Sequence, residues 1–97
     1  MVGRVSPPPT RARLGRVTYD VLVEVRLRPG IADPEGATIE RSLPALGFGG
    51  VAGVRVGKAI RFTLDAADEA TARAQVDQLC TRLLTNPVIE DAEVTVS

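Results

Sequence analysis

The 97-residue sequence contains no histidine, no tryptophan, one cysteine and only three aromatic residues. Without histidine, the chain cannot form a Ser-His or Cys-His nucleophile pair of its own. A zinc site would have to be built from carboxylates and a single thiol, which is an improbable ligand set. One cysteine also excludes an internal disulfide and fits a reducing compartment. We therefore expect no active site and no metal on this chain alone.

Phosphate-binding loops and membrane segments are also missing. The sequence has neither a GxxxxGK[ST] loop nor a GxGxxG turn that could hold a phosphate group. No apolar run approaches the roughly 18 residues of a membrane span, and no stretch has the apolar core of a signal peptide. These features predict a soluble, cytoplasmic protein.

Charge is balanced over the whole sequence but is uneven along it. Arg4, Arg11, Arg13 and Arg16 lie in the first sixteen residues, where there is no acid. Residues 17–97 carry eight basic residues (12 − 4 = 8) and twelve acidic ones, a net charge of −4. An acidic body with few aromatics argues against a nucleic-acid partner. The three prolines at 7–9 and the absence of an apolar period predict a disordered tail over 1–16, followed by one domain over 17–97.

Apolar spacing predicts a strand and then a helix. The strand's alternating apolar positions are Tyr19, Val21, Val23, Val25 and Leu27. Arg26 and Arg28 lie on its polar face and are expected to be solvated. Asp33 suits a helix N-cap, and Pro34 suits the first helical position. The helix is expected to bury one face, to loosen near its internal proline and to close at Gly47. Its apolar positions are Ile39, Leu43 and Leu46.

A second helix is predicted over about 69–84, with Asp68 as its cap. Its apolar stripe comprises Ala72, Val76, Leu79, Cys80 and Leu83. Cys80 is in phase with this stripe, so we expect a buried and inert thiol. The pair Asn86-Pro87 ends the helix, and alternating apolar residues at 92, 94 and 96 predict a last strand.

The segment 51–65 allows two architectures. A hairpin turning at Gly57-Lys58 would give a ferredoxin-like βαββαβ order, but it would place Arg55 on the same face as Ile60. An unbroken strand from Val54 to Leu64 instead keeps the apolar residues on one face and the polar residues on the other. Because strand register is set by the buried face, the unbroken strand is favoured.

Such a strand has a consequence for assembly. Eleven residues span roughly 35 Å, so the strand would cross the whole width of a compact domain of this size. A core of some eighty residues also supplies only about 3–5 kcal/mol of stability. Exchange of the far half of the strand, with the elements that follow it, between two chains would resolve both problems. We therefore predict an obligate, segment-swapped homodimer.

Two groups of residues are candidates for partner contacts. Lys58 has the parity of the buried face, so it must reach solvent, pair with an acid or contact a partner or an anion. Gly57 permits close backbone approach, and Arg55 lies on the other face. Glu90 and Asp91 follow Asn86-Pro87 and are expected to contact a basic partner surface rather than to bind a metal.

Three segments, in this order, resemble the PurS family, the small subunit of phosphoribosylformylglycinamidine (FGAM) synthase. They are Asp33-Pro34-Glu35-Gly36, Arg55-Val56-Gly57-Lys58 and Asn86-Pro87-Val88-Ile89-Glu90-Asp91. The resemblance extends from about residue 17 to residue 96. It implies an α+β fold of order βαβαβ, related to half of a ferredoxin-like unit. That fold would have an antiparallel sheet, two helices and a long central strand shared in a segment-swapped dimer.

The resemblance also implies a function. The FGAM synthase complex, to which the PurS family belongs, uses ATP and glutamine to convert formylglycinamide ribonucleotide (FGAR) to FGAM in purine biosynthesis. The glutaminase subunit PurQ would release ammonia, and the synthetase subunit PurL would use ATP and Mg²⁺, with no cofactor on this chain. The small subunit, as a dimer or tetramer, would bridge the other two subunits and assist ammonia transfer.

A different class of function is also open. Some regulatory modules use ferredoxin-like dimers to hold an amino acid at their interface. Such modules favour a glycine-containing turn after the first strand, and Pro29-Gly30 offers a weak version of it. A small-molecule-binding regulatory module is therefore the alternative hypothesis.

Overall fold

A computed structural model describes residues 10–13 and 15–97, and it has an α+β fold. Four strands and two helices follow in the order β1 (Thr10–Arg13), β2 (Arg16–Leu27), α1 (Pro34–Ser42), β3 (Gly57–Ala66), α2 (Glu69–Leu79) and β4 (Glu90–Val96). A 3₁₀ turn over Pro44–Leu46 follows α1, and a π-helical turn over Cys80–Leu84 follows α2. The strands form one antiparallel sheet, so the predicted fold class is confirmed.

Strand β1 lies in the segment for which the sequence predicts a disordered tail. Its backbone pairs with the start of β2, with Thr10 opposite Thr18 and Arg13 opposite Arg16. The prediction is therefore wrong for these four residues, because the edge of β2 supplies main-chain partners that composition does not reveal. Gly15 has φ of 69°, which suits the tight connection between the two strands. Residues 1–9 and 14 lie outside the described residues, so the prediction made for them stays a prediction.

Strand β2 is the centre of the sheet. It pairs with β3 along one edge and with β4 and β1 along the other. Among the described residues β3 pairs with β2 alone, so the long strand expected at the centre lies at an edge of this sheet. The ladders place apolar residues in rows on one face; for example, Val21 lies between Phe62 and Val96, and Val23 lies between Ile60 and Val94.

Helix α2 covers this apolar face. The buried core consists of Val21, Val23, Val25, Ala66, Ala72, Val76, Cys80 and Val96. Val23 and Val76 are completely buried, and each contributes about 1.5–3 kcal/mol of apolar burial. Leu79 and Leu83, which the sequence places in the stripe, are 36% and 75% exposed. They lie one position before Cys80 and Leu84, which pack in or against the core, and so flank the contact with the sheet.

Helix α1 does not cover the sheet, contrary to the prediction of a buried face. Its main packing partner is the 3₁₀ turn that follows it. Ile39 and Leu46 are 41% and 68% exposed, and Leu43 is only half-buried. The loosening expected near Pro44 is confirmed by the 3₁₀ turn, and Gly47 closes that turn with φ of 94°. An apolar surface on α1 is thus left without a partner in the described chain.

Strand β3 is shorter at its start than the sequence predicts. It begins at Gly57, opposite Arg26 of β2, and no hairpin turns at Gly57-Lys58. Val54 and Val56 lie outside the strand because carboxylates of α1 and its cap bind their amides. The Val54 N–H donates to Glu40 Oε1 at 2.9 Å, and the Val56 N–H donates to Asp33 Oδ2 at 2.8 Å. The unbroken strand is therefore wrong for residues 54–56.

Asp33 joins the start of α1 to this segment. Its Oδ1 accepts the Gly36 N–H at 2.8 Å, which confirms the predicted N-cap, while Oδ2 accepts from Val56. These two bonds, that from Gly36 first, hold the pKa of Asp33 below its usual value, with a smaller contribution from the Arg55 charge. A Cβ at Gly36 would lie 2.5 Å from the Val54 carbonyl oxygen, so only glycine allows this approach.

Replacement of Gly57 tests the close pairing of β3 with β2. A Cβ at this position would lie 2.7 Å from the Val25 carbonyl oxygen, and the backbone has to move to admit it. Gly57→Ala is expected to lower the free energy of unfolding by about 1–3 kcal/mol. Gly50→Ala is the control, since its Cβ meets nothing within 4 Å, and its effect should stay within about 0.5 kcal/mol. Equal effects in urea unfolding would contradict the close approach.

Asp33→Asn tests the carboxylate contacts through their pH dependence. Because the folded pKa is lowered, the stabilisation is complete above the unfolded pKa of about 4 and is lost as pH falls through the folded pKa. The variant should be less stable at pH 7 and should lose less stability than the parent between about pH 5 and pH 2. Asp68, whose pKa is lowered chiefly by the Thr71 N–H, retains part of the acid dependence in both proteins. Parallel pH profiles of the urea midpoint would refute this account.

Candidate functional site

The residues selected from the sequence gather at one end of the sheet. Gly57 and Asp91 both lie opposite Arg26, one on each side of β2, and Glu90 lies opposite Leu27. Because β2 separates them, the two groups are two strand spacings apart, about 9–10 Å. The structure therefore brings Arg55, Gly57 and Lys58 to the same end as Asn86, Pro87, Glu90 and Asp91, without placing them in one contact cluster.

The turn over residues 86–90 is closed by its own hydrogen bonds. Asn86 Oδ1 accepts the Val88 N–H at 3.2 Å, and the Asn86 carbonyl accepts from Ile89 and Glu90 at 3.1 and 2.8 Å. Glu90 Oε1 accepts the Asn86 N–H at 2.7 Å. One carboxylate oxygen of Glu90 thus serves the turn itself. The tip of this turn carries Val88, whose side chain is 80% exposed.

Arg28 holds this turn against β2, a role that sequence reasoning missed when it predicted a solvated side chain. Its guanidinium donates to the Pro87 carbonyl at 2.7 Å and lies 3.3 Å from Asp91 Oδ1. Arg26 forms a similar ion pair with Glu93. These partners are about half exposed, so each pair contributes only about 0.2–1 kcal/mol. The sequence contains a signal for these ion pairs, because the polar faces of β2 and β4 carry opposite charges. That β2 and β4 are neighbours is seen only in the structure.

Lys58 lies on the apolar face of the sheet, as its parity predicts. It stands opposite Val25, a core residue that is 2% exposed, yet its own side chain is exposed. The ion pairs within the described residues involve Arg26, Arg28, Arg55 and Arg73. The ammonium group of Lys58 therefore has no carboxylate within 4.0 Å among those residues.

Arg55 stabilises the segment before β3. It donates to the Ile31 carbonyl at 3.1 Å, and its Nε lies 3.9 Å from Asp33 Oδ2. Both contacts join residues 51–56 to the loop that precedes α1. Arg55 is thus engaged within its own chain, whereas the ammonium of Lys58, three residues later, has no such contact with another described residue.

Two open clefts flank Gly57 and Lys58. One of about 480 Å³ extends to the start of α1 and to Glu90, and the other, of about 560 Å³, extends to Arg55 and Glu93. In the described part of the chain, no group of three or more His, Cys, Asp or Glu side chains could hold a metal ion. Burial, with a smaller effect of Asp77, raises the pKa of the Cys80 thiol, which is consistent with an inert residue. None of the helices described is long and apolar enough to cross a membrane.

The chain is similar to known proteins over most of its length. Residues 20–97 match the family PurS, described as phosphoribosylformylglycinamidine (FGAM) synthase. The PurS subunit of Synechocystis sp. is 47% identical over 74 residues, which are 76% of this chain and 74% of that protein.

Solved structures agree with this match. The crystal structure of Methanocaldococcus jannaschii PurS is 38% identical and has a TM-score of 0.74, covering 81% of this chain and 95% of that one. A chain in the structure of PurLQS from Thermotoga maritima is 34% identical and has a TM-score of 0.76, covering 82% of this chain and 98% of that one. Strand β1 lies outside the family match. From β2 onward, the sequence and the fold together show that the chain belongs to the PurS family of FGAM synthase subunits.

Proposed function

We propose that this chain is the small, non-catalytic subunit of an FGAM synthase that converts FGAR to FGAM with ATP and glutamine. The observation that carries the proposal is the match of residues 20–97 to PurS, together with the likeness to a chain in the Thermotoga maritima PurLQS structure. The partners are then a PurL synthetase subunit and a PurQ glutaminase subunit. The complex acts in the cytoplasm, in purine biosynthesis.

The side chains of this subunit fit a bridging role better than a chemical one. The sequence has no histidine, and its one thiol is buried. Activation of an amide oxygen by ATP requires phosphate and Mg²⁺ sites, which we assign to PurL. This subunit holds PurQ and PurL together and assists ammonia transfer between them. The proposed contacts at the end of the sheet are Asn86, Pro87, Asp91 and Lys58, which are exposed, and Glu90, which is half-buried.

The subunit acts as a segment-swapped homodimer in this proposal. The chain measures 58 × 32 × 14 Å, and its radius of gyration is 17.5 Å, whereas a compact chain of this length has about 12.5 Å. Helix α1 and residues 43–56 form an arm that leaves the sheet. The outer edge of β3 has no strand beside it among the described residues. In two copies of the chain, the arm of each copy can therefore pair with the free outer edge of β3 in the other.

The apolar surface of the arm supports the same arrangement. Leu46, Phe48 and Val51 are 68%, 58% and 45% exposed, and Leu79 at the end of α2 and Leu83 in the π-helical turn after it are exposed as well. Residues of this kind on a single chain remain in water unless a second chain covers them. In the proposed dimer, each arm lies beside the partner's α2 and against the outer edge of the partner's β3. Two such dimers could form a tetramer.

Amidation assays test the bridging role. Glutamine-dependent conversion of FGAR by PurL plus PurQ should require this chain, because it joins the two subunits. Conversion with free ammonia should proceed with PurL alone, because that reaction bypasses the glutaminase. Formation of FGAM is measured in both assays, with and without the chain. Equal glutamine-dependent rates in its presence and absence would disprove the proposed function.

Phe48→Asp tests the dimer. The side chain is largely exposed in one chain, so the charge should cost little there, whereas in the dimer it would be buried and unpaired. Light scattering should give twice the chain mass for the parent and a reduced dimer fraction for the variant. Ala74→Asp, an exposed position on α2, is the control and should remain dimeric. A parent that is a folded monomer at micromolar concentration would rule out the exchange.

A further inference from the structure

The turn over residues 86–90 presents an apolar side chain to solvent at the end of the sheet. Val88 at its tip is 80% exposed, the largest exposed fraction among the large apolar side chains that the structure describes. A single exposed valine is ordinary on a protein surface and by itself needs no explanation. The hydrogen bonds of the turn that carries it distinguish this one.

The backbone of the tip is almost fully paired within the chain. The Val88 N–H donates to Asn86 Oδ1 at 3.2 Å, and the Ile89 N–H donates to the Asn86 carbonyl at 3.1 Å. The Pro87 carbonyl accepts from the Arg28 guanidinium at 2.7 Å, and the Ile89 carbonyl accepts the Arg28 N–H at 2.8 Å. Pro87 has no N–H of its own. Of the backbone polar groups of residues 87–89, only the Val88 carbonyl lacks a donor among the described residues.

This pairing matters little in water and much in an apolar site. Each internal hydrogen bond adds little to the stability of a solvated turn, because water would satisfy the same groups. Once water is removed, every backbone group without a protein partner is costly. With a single unpaired carbonyl, the tip can enter an apolar pocket at a low desolvation cost, provided that the pocket supplies one donor.

The charged groups beside the tip are paired as well. Asp91 Oδ1 lies 3.3 Å from the Arg28 guanidinium, and Glu90 Oε1 accepts the Asn86 N–H at 2.7 Å. The turn therefore presents an apolar centre, Val88, with internally paired polar groups around it. An apolar centre within a polar rim is the usual arrangement of a protein–protein interface.

This turn lies on the side of the sheet that is not assigned to subunit exchange. Strand β4, which follows the turn, pairs with β2 along one edge, whereas β3 pairs with β2 along the other. In the proposed dimer, the partner's arm lies against the outer edge of β3 and beside α2. Val88 is therefore left for a partner other than the second copy.

We infer that Val88 is the anchor of the contact with a partner enzyme subunit. It enters an apolar pocket of that subunit, and one N–H or O–H group of the pocket donates to the Val88 carbonyl. The inference rests on the proposed function and deepens it, because it specifies the pocket that the partner presents and the side chain that fills it.

Binding of the full chain, in its native oligomeric state, to PurL and to PurQ tests the inference. Sedimentation velocity gives the Kd for each subunit alone and for both together, in the presence of glutamine, ATP and Mg²⁺. Val88→Thr keeps the shape of the side chain but adds a hydroxyl that would be buried without a partner, so Kd should rise about tenfold. Val88→Asp would bury a charge, and Kd should rise at least about a hundredfold.

Two controls separate the contact from folding and from chemistry. Because Val88 is exposed in the chain itself, the urea midpoint and the dimer mass should be the same in both variants as in the parent. Ala74→Asp, which places the same charge at an exposed position on α2, should bind like the parent. In the glutamine-dependent assay, Val88→Thr should reach the parent's maximal rate, but at about ten times the chain concentration.

Three results would overturn the inference. One is parental affinity in Val88→Asp, and another is a parent chain that binds neither PurL nor PurQ. The third is a variant that loses its dimer while keeping its affinity for both subunits, which would place the pocket on a second copy.

The inference and the proposed function can fail separately, because binding and amidation are independent measurements. A chain that binds through Val88 but leaves the glutamine-dependent rate unchanged contradicts the proposed function alone. A chain that is required for that rate but tolerates Val88→Asp contradicts the inference alone.

Discussion

The whole fold depends on β2 being paired along both of its edges. Main-chain ladders to β3 and β4 fix the register on either side, and that register places Val21 and Val23 between apolar partners of both strands and Val25 beside Ala92 of β4. Helix α2 can then bury one continuous face with small residues, of which Ala72 and Val76 are completely enclosed. The same pairing carries the ends of β3 and β4 to one end of the sheet. Residues far apart in sequence thus lie at one end of the sheet.

Away from the sheet, hydrogen bonds from backbone amides to carboxylates, rather than a buried apolar core, hold the chain in place. Helix α1 has no extensive packing on the strands, and Asp33 and Glu40 hold the following segment through its backbone amides. These contacts are directional and give the arm a defined shape without a core of its own. The chain is therefore divided into a body that is stabilised by burial and an arm that is shaped by hydrogen bonds. Its apolar side chains remain exposed until a second surface covers them.

The sequence predicts well those features that depend on local pattern. The strand period before Leu27, the cap at Asp33, the closure at Gly47 and the parity of Lys58 all follow from spacing and backbone chemistry, and the structure agrees with each. The features it mispredicts depend on distant partners. Val54 and Val56 have strand periodicity, but carboxylates 14 and 23 residues earlier bind their amides. Three further features likewise depend on which parts of the folded chain come into contact. They are the exposure of Ile39 and Leu46, the contacts of Arg28 with the turn over residues 86–90, and the pairing of Thr10–Arg13 with β2. A one-dimensional pattern carries no such information.

The carboxylate contacts to residues 54 and 56 also limit how the chain can polymerise. In an extended segment the amides of alternate residues point to the same side, so Asp33 and Glu40 occupy one hydrogen-bonding edge of the arm. In the proposed dimer, only the opposite edge, that of residue 55, is left to join the sheet of the other chain. An exchanged strand with two open edges could recruit a third chain and continue into a fibre, which is the hazard of unprotected strands. In the proposed dimer, the arm, with one edge covered by its own carboxylates, would end a sheet instead of extending it, and reciprocal exchange would stop at a closed pair.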